Sequence, residues 1–147
     1  MRTKSIFTII LGLLLLTGTT LADGKTWHTD WQSASAESKE TGKPILMDFT
    51  GSDWCGWCIR LKAEVFDTEA FRTWADKNVV LLEIDFPRGS EQPQSVVEQN
   101  RKLAQDYGVR GFPTIVFSNA KGEELGRYGY DRGGPSVWTS KAEKMLK

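Results

Sequence analysis

The sequence predicts an α/β fold, and three observations carry the prediction. Ile45-Leu46-Met47-Asp48-Phe49 and Val79-Val80-Leu81-Leu82-Glu83-Ile84-Asp85 are near-continuous apolar runs of strand length. Such runs mark strands covered on both faces by helices. A segment with helical spacing, through Cys58, Leu61 and Val65, lies between them. Helix-like and strand-like patterns then continue to alternate towards the C-terminus, which is the pattern of a layered α/β domain.

The elements follow in order. Trp27 to Trp31 is an aromatic-rich lead-in containing His28, expected at the surface. Thr29 or Asp30 can cap a first helix through Ala34, Ala36, Ser38 and Lys39. Gly42 stops that helix and Pro44 forbids its continuation. It is short and polar, so it should cover one edge of the sheet. Pro44 to Thr50 is the first buried strand, interrupted only by Asp48. Gly51-Ser52-Asp53 turns the chain and delivers Trp54 and Cys55 to the next helix, at the carboxyl end of the strand, where open α/β sheets place their sites. Asp67 is expected to cap the following helix, with Phe66 and Phe71 as its hydrophobic staple; those rings and Trp74 should pack in the core. Val79 to Phe86 is the second buried strand, Pro87-Arg88-Gly89-Ser90 a loop, and Ser95 to Tyr107 a helix ended by Gly108. The strand from Gly111 to Phe117 has Pro113 near its head, a position proline tolerates because it cannot donate to the ladder. Asn119-Ala120-Lys121-Gly122 turns into an antiparallel partner, Glu123 to Tyr130, and Gly133-Gly134-Pro135 leads to a terminal helix, Ser136 to Leu146.

Residues 1–22 read as an export signal. Arg2 and Lys4 precede an apolar run, Ile6 to Leu16, and Thr20-Leu21-Ala22 offers a small-residue cleavage site. The alternative is a membrane anchor, but the run is shorter than the roughly 20 residues a spanning helix needs. Cleavage leaves residues 23–147 as one domain of 125 residues, since 22 are removed from 147; that length suffices for a core. Arg2 and Lys4 leave with the signal, so 17 of 19 basic residues face 19 acidic ones and the net charge is −2. That balance suggests neither nucleic acid nor an anionic membrane surface as partner.

Cys55 and Cys58 are the only cysteines in the 147 residues, three positions apart in Trp54-Cys55-Gly56-Trp57-Cys58. On a helix this spacing brings both sulfurs to one turn, where a disulfide opens and closes with little backbone movement. In an exported, oxidising setting, two cysteines in one motif are a functional pair rather than a disulfide framework. Half of a four-ligand zinc site is the competing reading; no second pair exists, and His28 is the only histidine. The chemistry expected is thiol–disulfide exchange. Cys55, at a helix N-terminus, should have a lowered pKa and attack as thiolate. Cys58, one turn deeper, should resolve the mixed disulfide. Asp48 is the one charged residue in its strand. Buried without a cation it should have a raised pKa, which makes it either a proton acceptor for Cys58 or a hydrogen-bonded strand residue facing a crevice.

From Pro44 to Gly129 the chain resembles thioredoxin-fold proteins. Three landmarks occur in that family's order: the strand ending Asp48-Phe49, the Trp54-Cys55-Gly56-Trp57-Cys58 segment, and Gly111-Phe112-Pro113-Thr114. Gly51-Ser52-Asp53-Trp54 resembles the turn of exported bacterial members. The resemblance implies a central mixed sheet of about four to five strands with helices on both faces. It implies that Pro113 is cis and faces the cysteines, that its turn docks substrate backbone, and that Phe112 helps select partners. Trp54 would cover the site as an apolar platform, with core packing as the other reading, and Gly56 and Trp57 would border the substrate. Four departures are visible. The turn before Trp54 is one residue longer than usual, and Gly56-Trp57 replaces Gly-Pro. Leu81 stands where many thioredoxins carry a lysine near the buried aspartate. Phe86 to Tyr107 is long and could add a partner surface.

The function expected is therefore a thiol–disulfide oxidoreductase, periplasmic or secreted, that reduces or reshuffles disulfides in exported proteins. It would take electrons from an upstream thiol donor, act as a monomer, and need no metal and no cofactor beyond the Cys55–Cys58 pair. Trp57 brings no charge that would hold a thiolate, and the Gly-aromatic dipeptide resembles that of disulfide isomerases, which work reduced. Two alternatives stand beside it: a binding module that keeps the fold without the chemistry, and a copper-handling dithiol protein.

Overall fold

The computed structural model describes residues 26–147. The expected export signal, its cleavage site and the first residues after it lie outside the described residues. Among the described residues, four strands form one mixed sheet in the order β2-β1-β3-β4. They are β1 (Ile45–Thr50), β2 (Val80–Asp85), β3 (Thr114–Ser118) and β4 (Glu124–Tyr128). β1 pairs parallel with β2 and antiparallel with β3, and β4 closes the far edge as the antiparallel hairpin partner of β3. All six residues of β1 are buried, as a central strand between two helical layers requires.

The lead-in is more ordered than the sequence predicts. His28 forms a parallel bridge to Leu82, with His28 N donating to Leu81 O and Glu83 N donating to His28 O. Its ring nitrogen Nε2 lies 2.6 Å from the Glu37 carboxylate. A single bridging residue thus extends the sheet beyond β2.

Two cores flank the sheet. Helices α1 (Trp31–Thr41) and α4 (Gln94–Asp106) cover the face made by Ile45, Met47, Phe49, Val80, Leu82 and Ile84. Asp30 caps α1, its carboxylate accepting from the backbone of Gln32 and Ser33 at 3.0 Å. Gly42 ends α1 at φ 71°, a conformation glycine adopts without penalty. The other face carries Leu46, Leu81, Ile115 and Phe117 beneath Phe66, Phe71 and Trp138. Trp138 belongs to α5 (Gly134–Met145) and is fully buried; its indole donates to Gly129 O at 2.9 Å. This places the polar atom of a large apolar ring in a satisfied position.

The site-bearing helix departs from the expected regular spacing. Helix α2 runs only from Gly56 to Leu61 and passes into a π-helical turn, Lys62–Phe66, before α3 (Glu69–Asn78). The wider turn uses one more residue per repeat, so the cap of α3 moves one place beyond Asp67. Thr68 fills it, accepting from Phe71 N at 3.2 Å, while the Asp67 carboxylate pairs with Lys62 at 2.6 Å. Phe66 and Phe71 still meet, their ring centroids 4.7 Å apart, so the apolar contact holds although the capping residue differs. In α4 the apolar side chains Val96, Val97, Leu103 and Ala104 are only half-buried, and the one fully covered residue is Asn100. Its side-chain amide donates to Asp85 O at 2.9 Å, fastening α4 to the end of β2.

Candidate active site

Cys55 and Cys58 meet at the carboxyl end of β1 and are joined as a disulfide, with their Cα atoms 5.2 Å apart. Cys55 is the N-cap of α2, and the backbone N–H of Cys58 donates to its sulfur at 3.2 Å. A hydrogen bond of this kind favours a thiolate once the disulfide opens. Burial opposes it, because Cys55 is 7% and Cys58 4% exposed. Gly56, between them, opens to solvent, and a Cβ added there would touch nothing within 4 Å.

The turn before Cys55 is braced from three sides. Gly51 lies directly under the indole of Trp54. Trp54 Nε1 donates to Phe86 O at 2.7 Å. Asp53 accepts from the backbone N–H groups of Arg88 and Gly89, and those bonds hold its carboxyl below the usual carboxylate range. Through Trp54 and Asp53 this turn ties the site to the loop that follows β2. Arg88 lies over the Trp54 ring with its guanidinium carbon 3.8 Å from the centroid. Phe112 meets Trp54 edge-on at 5.9 Å and stacks on Phe86 at 5.2 Å.

The Phe112–Pro113 peptide bond is cis. Phe112 and Pro113 line an open groove with Trp57, Tyr130, Asp131 and Arg132. Trp57 is 51% exposed, packs on Tyr130 at 5.2 Å and carries the Arg60 guanidinium over its ring at 5.4 Å. The Tyr130 hydroxyl donates to Glu64 at 2.7 Å. An apolar, aromatic trough beside a reactive pair is suited to an extended polypeptide, whose backbone needs a shallow, accessible channel.

Behind the pair, a crevice of about 320 Å³ is lined by Cys58, Asp48, Thr50, Lys62, Asp67 and Glu83, among others. Asp48 is 7% exposed, and its Oδ1 has no hydrogen-bond partner among the described residues. Burial, and then the carboxylates of Glu83 and Asp85, push its pKa up to about 8, against a smaller lowering by Lys62. The raised value expected from sequence is present, yet a cation does approach. It comes from Lys62 on the π-helical turn rather than from β2, where Leu81 is buried. A larger depression, about 670 Å³, lies between α1 and α4 and contains none of the sequence-predicted site residues.

A family model described as a thioredoxin-like domain matches residues 31–133, and the fold and cysteine geometry agree with it. The chain belongs to the thioredoxin-like family. It is 38% identical over 123 residues to the disulfide bond reductase DsbH of Chlamydia pneumoniae, covering 82% of this chain and 74% of that protein. A solved DsbH oxidoreductase superposes with a TM-score of 0.80 at 35% identity, covering 92% of this chain and 93% of that one. The thiol:disulfide interchange protein DsbD of Vibrio cholerae is 35% identical over 97 residues, which is 66% of this chain but 15% of that protein. With its cysteine pair, this thioredoxin-like chain is a thiol–disulfide oxidoreductase.

The structure brings Cys55, Cys58, Asp48, Trp54, Trp57, Phe112 and Pro113 to one end of the sheet. Sequence reasoning passed over four neighbours. Lys62 was legible, since it is four residues after Cys58 and so shares its helix face. Glu83 was legible too, because β2 alternates and Glu83 lies on the Asp48 side. Tyr130 and Arg88 reach the site only through tertiary placement of the β4 end and the loop after β2, and no local pattern announces them.

Proposed function

We propose that this thioredoxin-like protein works in the cell envelope after loss of residues 1–22, with residues 23–147 as the working domain, and that it reduces or reshuffles disulfides in other exported proteins. One observation carries the reading: the Cys55–Cys58 pair stands between an aromatic groove holding cis-Pro113 and a crevice holding a protonatable Asp48. Cys55 attacks one sulfur of a substrate disulfide as thiolate. The Cys55–substrate bond forms, the substrate S–S bond breaks, and the departing sulfur takes the electron pair and then a proton. Cys58 gives its proton to the ionised form of Asp48 and attacks Cys55, which expels the second substrate sulfur as a thiolate and leaves the Cys55–Cys58 disulfide. Trp54, Gly56, Trp57, Phe112 and Pro113 receive the substrate chain. A thiol donor upstream returns the pair to its reduced state.

The direction is supported by the site's charge and by its relatives. Trp57 between the cysteines is neutral, and the burial of both sulfurs works against a strongly stabilised thiolate. The relatives include a protein named a disulfide bond reductase. Among the described residues, no helix is long and apolar enough to cross a membrane. Insulin reduction by dithiothreitol, with a copper(I) titration alongside, tests the reading. Residues 23–147 should accelerate insulin precipitation severalfold, and Cys55→Ser should abolish that acceleration. A protein that binds copper(I) stoichiometrically and leaves insulin intact would support the copper-handling alternative instead.

A further inference from the structure

Asp48 and Glu83 are direct partners in the parallel pairing of β1 with β2. Residues in register on neighbouring strands project from the same face, so both carboxylates enter the crevice that also holds Cys58. The remaining charges there are few. Asp85, two residues on, is held by the backbone N–H and hydroxyl of Ser52. Lys62 reaches in from the π-helical turn and is paired with Asp67. From β3 the residue opposite Asp48 is Ile115, which contributes no charge.

We infer that Glu83 is a positioning residue of the resolving step, a second carboxylate that sets the proton affinity of Asp48 in opposition to Lys62. The inference rests on the reading that Cys58 resolves and Asp48 accepts its proton. Two carboxylates in one crevice cannot both ionise without mutual cost, so with the more accessible one charged the buried one ionises only at higher pH, and in that ionised form it takes the Cys58 proton. Glu83 is the half-exposed member and Asp48 the buried one. Burial and the Asp85 carboxylate raise Glu83 as well, and Lys62 lowers it. An ionised Glu83 brings the proton affinity of Asp48 towards that of a thiol, about 8.5, where transfer from Cys58 is nearly balanced. The crevice then gives that proton a route past Glu83 to water.

The test separates this inference from the reading beneath it. Reduced protein is mixed with 5,5′-dithiobis(2-nitrobenzoate), and release of the coloured thiolate is followed by stopped flow across pH. The first equivalent reports attack by Cys55. The second reports Cys58 transferring its proton, bonding to Cys55 and expelling the thiolate, which needs no proton of its own. Absence of a second phase would overturn the resolving role itself. With both phases present, Glu83→Gln should move the pH limb of the second phase to lower pH, and Lys62→Met should move it to higher pH, each by about one unit. Glu83→Asp should stay near the wild-type position. In an Asp48→Asn background the Glu83→Gln displacement should vanish. Limbs that stay in place, or that move in the same direction for both charges, would overturn the inference, as would a displacement that survives Asp48→Asn. If Glu83→Gln does not fold, Glu83→Ser takes its place and an unmoved limb overturns the inference, while Lys62→Met, whose side chain is 55% exposed, supplies the shift of opposite sign.

Discussion

A methyl group on Gly51 would stand 2.4 Å from Cε2 of Trp54, closer than any real Cβ contact. The glycine thus sets where the indole lies, and the indole sits between Arg88 and Phe112 at the entrance to the cysteines. Gly51→Ala should displace the ring, break its bond to Phe86 O and cost about 1–3 kcal/mol of stability. The reduction rate of a protein substrate should fall at the same time, because the turn that presents Cys55 moves. A denaturation curve and an insulin assay on one preparation check both. An unchanged rate and midpoint would show that the turn absorbs the methyl group freely.

Asp48 gives the fold a pH dependence with a definite sign. Its carboxyl titrates at about 8 in the folded chain against an ordinary 3.8. Between those values the folded state holds a proton that the unfolded state has released. Stability therefore falls as pH rises through this window, by up to about 1.4 kcal/mol per unit, and levels off above it. Glu83, also raised, adds to the slope in the same direction. Asp48→Asn should flatten the dependence and be the more stable protein at pH 8. Urea midpoints at pH 5, 6.5 and 8 measure this; a wild-type protein whose stability rises across the window contradicts it.

The two sulfurs should fail in different ways when replaced. Cys55→Ser should abolish exchange outright. Cys58→Ser should keep the attack but leave nothing to resolve the intermediate, so substrates should accumulate as mixed disulfides on Cys55. Alkylation of the reduced protein at mildly acidic pH should label Cys55 first, given the Cys58 N–H at its sulfur. Faster labelling of Cys58 would reverse the assignment.

Much of the fold was legible because its strongest signals are local. The buried run of β1, the glycine after α1 and the hairpin turn at Asn119–Gly122 each follow from a few adjacent residues. The π-helical turn was not, because its spacing differs from an α-helix by one residue and Leu61, Val65 and Phe66 satisfy either period. That one residue moved the cap of α3 from Asp67 to Thr68. Asn100 was missed for a related reason: an apolar count along α4 gives no weight to the amide that α4 buries. In the site, the pair and its flanking landmarks carry their chemistry in the residue types. The bracing by Asp53, Arg88 and Tyr130 depends on where distant loops arrive. The missing lysine at Leu81 marks a change of element, since the cation near Asp48 is Lys62, which its spacing from Cys58 already puts on that helix face.

The measurement closest to the central claim is the reduction potential of the Cys55–Cys58 pair, taken by equilibration in glutathione buffers with tryptophan fluorescence as the signal. Trp54 precedes the pair, Trp57 lies between its cysteines, and both should report its state. A reductant of exported proteins should lie near the thioredoxin value of about −270 mV, whereas a disulfide donor would approach about −120 mV. At about 1.4 kcal/mol per 30 mV, those ends differ by roughly 7 kcal/mol, well beyond the error of the titration. A value near −270 mV is the result predicted. A value near −120 mV would contradict the reductase reading and make this protein a source of disulfides.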